Sequence, residues 1–123
     1  MEFDALSNRV IGLAIEVHRE LGPGLLESTY ERCLTRELVT HGIDFRSQLS
    51  LPVSSKGIRI DCGYRLDLLI ENKLIIELKA VDALQAVHEA QLMTYMKLTN
   101  CSTGLLINFN TKLLKNGIKR FVL

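Results

Sequence analysis

The run RLDLLIENKLIIELKA at residues 65–80 sets an aspartate, a glutamate and a lysine, Asp67, Glu77 and Lys79, into stretches otherwise rich in leucine and isoleucine. Side chains on a strand alternate between faces, so Glu77 and Lys79 share one face while Ile76 and Leu78 take the other. If Glu71, Asn72 and Lys73 form a three-residue hairpin loop, Ile70 pairs with Leu74 and the ladder sets Asp67 opposite Glu77 on the same face. A two-residue loop would put the two acids on opposite faces. Opposed carboxylates on a half-buried sheet face repel each other and call for compensation. Lys79 is one source, and a divalent metal that takes carboxylate oxygens and keeps several waters is the other. Two acids, a metal and a lysine make a site for activating water and neutralising charge on a phosphoryl group. The plainer reading puts Asp67 and Glu77 at opposite rims of the sheet, with Lys79 ending its strand in solvent.

Residues further along the chain extend the pattern. Gln91 and Tyr95 are four apart and share a helix face, with His88 three before Gln91 on the same stripe. That stripe, beside Leu84 and Val87, either faces the sheet site or consists of a core-edge tyrosine and a solvated glutamine. Glu27 and Tyr30 also share a face, and a glutamate near a helix start is favourable in any case, by about 0.3–1 kcal/mol. His18 and His88 read as packing or hydrogen-bonding residues rather than metal ligands, and His41 as a surface residue near a helix end. The segment TKLLKNGIKR carries Lys112, Lys115, Lys119 and Arg120 with no acid. These cations either track phosphates or keep an edge strand solvated.

The elements that must position these groups are legible from periodicity. Residues 3–21 place Leu6, Val10, Leu13, Ala14, Val17 and Leu21 at helical spacing, and Gly-Pro-Gly at 22–24 stops that helix. A second helix is expected from Leu25 to about Thr40, burying Leu26, Tyr30, Cys33, Leu34 and Leu38, with Gly42 as its stop; the two form a hairpin. From Phe45, FRSQLSLPV alternates, SSKG is a turn, and IRIDCGYRLDLLI and KLIIELKA read as strands of an antiparallel meander. Helical spacing returns over 81–99, followed by the strand GLLINF and a last edge strand IKRFVL. A helix between Lys79 and Gly104 is a crossover that lays GLLINF parallel beside LIIELK, giving an α/β sandwich with a mixed sheet.

Composition sets the outer bounds. At 123 residues, 47% hydrophobic and 24% charged, the chain reads as one globular domain. No apolar run approaches a membrane span, and MEFDALSNRV lacks the features of a secretion signal, so a cytoplasmic location is expected. Cys33, Cys62 and Cys101 suit neither a disulfide framework nor a paired zinc site and are expected as reduced core or near-core residues. A formal net charge of +1 gives no global attraction to a polyanion, so any such case is local.

Asp67 followed by Glu77-Leu78-Lys79 at the end of the next strand resembles the active-site pattern of the PD-(D/E)XK nuclease superfamily, whose site lies on a meander flanked by helices. GLLESTY, with Gly24, Glu27 and Tyr30, fits the GxxExxY signature of a bacterial family within it, and QLMTY fits the QxxxY motif of its exonuclease-like members. The resemblance covers nearly the whole chain, from VHRELGPGLLESTYE through ELKAV and HEAQLMTY to GLLINFN and GIKR. Leu66 stands where the pattern has a proline, a position that varies widely in the superfamily.

The resemblance implies a restriction-endonuclease-like three-layer sandwich, a mixed central sheet flanked by helices, in a single domain over 1–123. Its parts would be a helical hairpin (1–42), a meander (45–80), a crossover helix (81–99) and closing strands (104–123). It implies magnesium or manganese held by Asp67, Glu77 and the backbone carbonyl of Leu78, with Glu27 adding an acid from its helix. Lys79 would orient or activate the attacking water, and Gln91 and Tyr95 would orient the site or touch the nucleic acid backbone.

The first functional reading is therefore a metal-dependent nuclease acting on nucleic acid, DNA foremost. The second is a catalytically silent module of the same fold that binds nucleic acid or protein, its carboxylates paired with Lys79 or Arg65. A third is a phosphoesterase acting on a nucleotide, which needs a closed pocket. With no tryptophan and no evident helix-turn-helix, zinc finger or aromatic platform, recognition would fall to a homodimer or a partner protein.

Overall fold

Asp4 opens the first helix: its carboxylate accepts the Ser7 amide at 3.0 Å and the Ser7 hydroxyl at 2.6 Å, the bonds expected of an N-cap. The computed structural model describes residues 4–123, so Phe3, the expected first residue of this helix, lies outside the described residues. Helix α1 (Ala5–Leu21) buries Val10, Leu13, Ala14 and Val17 and ends at Gly22, whose φ of 71° is the left-handed conformation glycine adopts freely. Helix α2 (Glu27–Thr40) follows and buries Tyr30, Leu34 and Leu38. Tyr30 ties the connection down. Its hydroxyl donates to the Gly22 carbonyl at 2.6 Å and accepts the Leu25 amide at 3.1 Å, while its ring stacks on Phe109 at 4.4 Å. The helix starts two residues later than its periodicity suggests, and Leu26, expected in the core, is 73% exposed at its N-cap.

Strand β1 (Phe45–Ser50) leads into a short hairpin, β2 (Val53–Ser55) and β3 (Ile58–Ile60), and then into β4 (Arg65–Ile70) and β5 (Leu74–Lys79). Helix α3 (Ala86–Thr99), β6 (Thr103–Asn108), a 3₁₀ turn (Leu114–Gly117) and β7 (Ile118–Val122) complete the order. The central five-stranded sheet runs β1-β4-β5-β6-β7, with β5 and β6 parallel and the other neighbours antiparallel. The crossover through α3 and the edge position of β7 are as the sequence suggests.

Two expectations are corrected here. β3 does not continue into β4, because residues 61–64 form a loop with Gly63 at φ 76°, and β2 and β3 pair only with each other in a separate two-stranded sheet. Helix α3 starts at Ala86 rather than 81, which leaves Leu84 outside it and Val87 65% exposed. Cys62 sits in the same 61–64 loop and is exposed, whereas Cys33 is half-buried and Cys101 buried; all three are free thiols.

The sheet is covered on both faces. Leu68, Ile70, Ile76, Leu78, Leu105 and Ile107 pack with α1 and α2, while Leu69, Ile75 and Leu106 pack with Leu92, Tyr95 and Met96 of α3. This is a mixed α/β architecture with a sheet flanked by helices, the restriction-endonuclease-like arrangement. Alternation fails at one place: Leu66 joins the α3 side although Leu68, two residues on, belongs to the α1/α2 side. The residue between them is Asp67.

Candidate active site

The loop Glu71-Asn72-Lys73 has Glu71 and Asn72 at φ 54° and 55°, and the Lys73 amide donates to the Ile70 carbonyl at 2.9 Å. Ile70 pairs with Leu74, and the ladder runs back through Leu69 with Ile75 to Leu68 with Ile76. Its next rung would join Asp67 to Glu77, and there the backbone pairing stops. Side chains take over. The Asp67 amide donates to Glu77 Oε1 at 3.1 Å, and the Leu78 amide donates to Asp67 Oδ2 at 2.8 Å. Each carboxylate is thus anchored by the main chain of the strand opposite, and β4 and β5 part around the pair. Glu77 lies on the strand face that carries Ile75, against α3, whereas Asp67 occupies the gap.

On the other side of β4 the same position is disturbed again. β1 pairs Ser47 with Leu68 and Leu49 with Leu66, skipping Gln48, whose φ of 52° turns it out of regular strand geometry. Its side-chain amide donates to Asp67 Oδ1 at 3.1 Å and to Glu31 Oε1 at 2.7 Å. A positive φ at a residue other than glycine costs about 1–3 kcal/mol, and these two bonds are what the twist supplies. Glu27, the first residue of α2, and Glu31, one turn later, overhang Asp67. With Ser28, Gln48 and Leu78 they line an open hollow of about 330 Å³.

The electrostatics are those of crowded acids. Burial, then the charge of Asp67, push the Glu77 carboxyl up to about 8 against the opposing pull of the Asp67 amide and the Lys79 charge. Glu31 is raised by burial first, then by Asp67 and Glu27, while its bond from Gln48 lowers it. Lys79 ends β5, and its carbonyl accepts the Phe109 amide at 2.8 Å. Behind Glu77, Gln91 donates to the Tyr95 hydroxyl at 3.0 Å, and burial followed by the charge of Glu77 raises that phenol. The exposed Tyr64 meets Tyr95 edge-on, with ring centroids 6.3 Å apart.

Hard carboxylate oxygens that repel one another suit a divalent cation such as magnesium. Among the described residues no three His, Cys, Asp or Glu side chains converge into a ready-made metal cage. A divalent cation at Asp67 and Glu77 would have two carboxyl groups to hold it and would need further oxygen ligands.

Of the residues singled out in the sequence, Asp67 and Glu77 are joined through the main chain of each other's strands and the Lys79 charge acts on Glu77, while Glu27 lines the hollow that Asp67 enters from the other side; Tyr95, bonded by Gln91, feels the charge of Glu77. The fold takes the histidines elsewhere. His18 Nε2 bonds the Thr111 carbonyl at 2.7 Å, His88 Nδ1 accepts the Gln85 amide at 2.9 Å as part of the α3 cap, and His41 is the exposed C-cap of α2. Sequence reasoning missed Glu31, Gln48, Tyr64 and Asn108. Glu31 had a signal, four residues after Glu27 on one helix face; Gln48 had none, because only the kink in β1 aims it. Asn108 is 2% exposed, accepts the Val81 amide at 3.1 Å and donates to the Val81 carbonyl at 2.9 Å, fixing the chain just past Lys79.

Among the described residues no helix is long and apolar enough to cross a membrane. Neither the curated proteins nor the solved structures include a significant match to the chain. The family model of the PD-(D/E)XK nuclease superfamily, by contrast, matches residues 4–121, from the cap of α1 into β7. With nearly the whole fold covered and the acids and lysine gathered where β4 and β5 part, the chain belongs to the PD-(D/E)XK nuclease superfamily.

Proposed function

We propose that this chain is a metal-dependent nuclease of the GxxExxY type, a single domain over residues 1–123 that hydrolyses phosphodiester bonds of nucleic acid, with DNA the first polymer to test. The observation that carries the reading is the reciprocal anchoring of Asp67 and Glu77, which holds two carboxyl groups side by side, with Asp67 lining the open groove and Glu77 buried behind it. A fold that needed only a scaffold gains nothing from this, because opposed acids destabilise a sheet.

In this reading Asp67, Glu77 and the Leu78 carbonyl hold magnesium or manganese, and Glu27 reaches the same ion or its waters from the start of α2. The metal, when bound, supplies Lewis-acid charge and lowers the pKa of water. Lys79, on the same strand face as Glu77, orients the attacking water and stabilises the oxygen that gains charge. Gln91 and Tyr95 hold the Glu77 side of the site and face the nucleic acid backbone. Recognition falls to a second copy or a partner protein, and the setting is the cytoplasm. Expected members of the superfamily partner with divalent metal, and the open groove favours a polymer over a free nucleotide.

One observation favours a catalytically silent binding module instead: with a proton on Glu77 at neutral pH, the metal-free pair satisfies itself. Cleavage separates the two readings. Labelled single- and double-stranded DNA and RNA are incubated with wild type, Asp67→Asn and Lys79→Ala, in Mg²⁺, Mn²⁺ and EDTA. Metal-dependent cutting that drops at least a hundredfold in both variants supports the nuclease. No cutting of any polymer by the wild type, alone or at high protein concentration, supports the module.

A further inference from the structure

We propose that the hollow between the end of α1 and the turn before β7 binds the phosphate backbone of the nucleic acid strand that the acidic groove cuts. This rests on the nuclease reading for the word "cuts" but not for the binding. The hollow measures about 460 Å³ and is lined by Arg19, Lys112 and Lys115 together with His18, Gly22 and Pro23, and no carboxylate lines it.

The basic residues of the chain end sort into two groups. Lys119 pairs with Glu89 at 2.9 Å and Arg120 with Asp4 at 3.1 Å, so those two are spent on the protein itself. Arg19, Lys112 and Lys115 form no ion pair with any described residue, and they are the ones gathered at the hollow.

Their position relative to the acids is set by short covalent paths. Gly22 and Pro23 line the hollow, and Glu27, four residues after Pro23, lines the acidic groove. Four residues span at most about 14 Å. On the other flank, the Phe109 amide is bonded to the Lys79 carbonyl, three residues before Lys112, and His18 pins Thr111 to α1. The lysine-bearing turn is therefore tied to both the catalytic strand and the helix that carries Arg19.

Charge gives the reason for such an anchor. Glu27, Glu31 and Asp67, which line the groove, repel a polyanion, and a formal net charge of +1 supplies no global attraction. A strand entering that groove needs local cations beside it. Phosphates follow one another every 3.4 Å of duplex axis per strand, so one strand can engage both sites at once.

The test is salt-dependent binding of fluorescein-labelled 20-mer DNA, single- and double-stranded, by anisotropy in EDTA. The full chain is compared with Arg19→Gln/Lys112→Gln/Lys115→Gln and with Lys119→Gln as the control. The log–log salt slope should become shallower by about 2–3 in the triple variant, at about 0.7–0.9 per lost phosphate contact, with affinity down about a hundredfold at 0.1 M salt. Lys119→Gln should leave the slope unchanged. Should the triple variant not fold, each single substitution should remove about 0.7–0.9 of slope. An unchanged slope in a folded triple variant overturns the proposal, as does an equal loss in the Lys119 control or no binding by the wild type. Mn²⁺ titration of the triple variant reports on the acidic site separately: unchanged metal binding with a reduced slope supports the proposal even if no polymer is cut.

Discussion

Glu77 is 4% exposed and its carboxyl is pushed up to about 8, from burial first and the neighbouring Asp67 second. The folded protein therefore keeps a proton on this group that the unfolded chain releases near its ordinary value of 4.5. The folded state binds more protons between those values, so the contribution of Glu77 is fully present below about 4.5 and is lost as pH rises through 8. In Glu77→Gln the amide oxygen still accepts the Asp67 N–H and nothing titrates. Melting in EDTA should show the variant gaining on the wild type from pH 5 to about pH 8 and levelling off above it; a constant difference across that range would sink the assignment. At this scale the sequence revealed Asp67, Glu77 and Lys79 because two strands and a tight loop leave little freedom. It hid Gln48, whose role depends on a backbone twist at φ 52°, and it tied the relative facing of the two acids to the loop length alone, whereas the splay of β4 puts Asp67 in the gap.

At the scale of elements, the site is held by two clamps. Tyr30 fixes the Gly22–Leu26 connection and with it the position of Glu27. Tyr30→Phe leaves the Gly22 carbonyl and Leu25 amide without that partner, and should cost about 1–3 kcal/mol in denaturant unfolding; a loss under about 0.3 kcal/mol would mean that the clamp is idle. Asn108 fixes the chain after Lys79, and the Cβ of an alanine at Gly117 would fall on the Asn108 carbonyl oxygen. Gly117→Ala should destabilise by about 1–3 kcal/mol, as overpacking does, and, on the nuclease proposal, should lower metal-dependent cleavage alongside; full stability would contradict the clamp. The helices and the parallel crossover were legible because their apolar spacing is set by burial. The β2–β3 hairpin was misread as part of the central sheet, because alternation alone does not say which sheet a strand joins. The late start of α3 was hidden because Val81, just past β5, is held by the Asn108 side chain, a contact made 27 positions away.

For the whole molecule, charge is arranged rather than accumulated. A formal net charge of +1 conceals an acidic groove at the parted strands and a basic hollow beyond the Gly22–Leu26 connection. Composition cannot display such a layout, since it depends on which cations find carboxylate partners in the fold. The account as a whole stands on Asp67 and Glu77 forming a cation site. Calorimetric titration of Mn²⁺ into wild type and Glu77→Gln at pH 7.5 addresses it most directly. The account predicts saturable binding to the wild type that is lost in the variant, with the variant's fold intact by circular dichroism. Equal binding to both proteins, or none to the wild type, would contradict it.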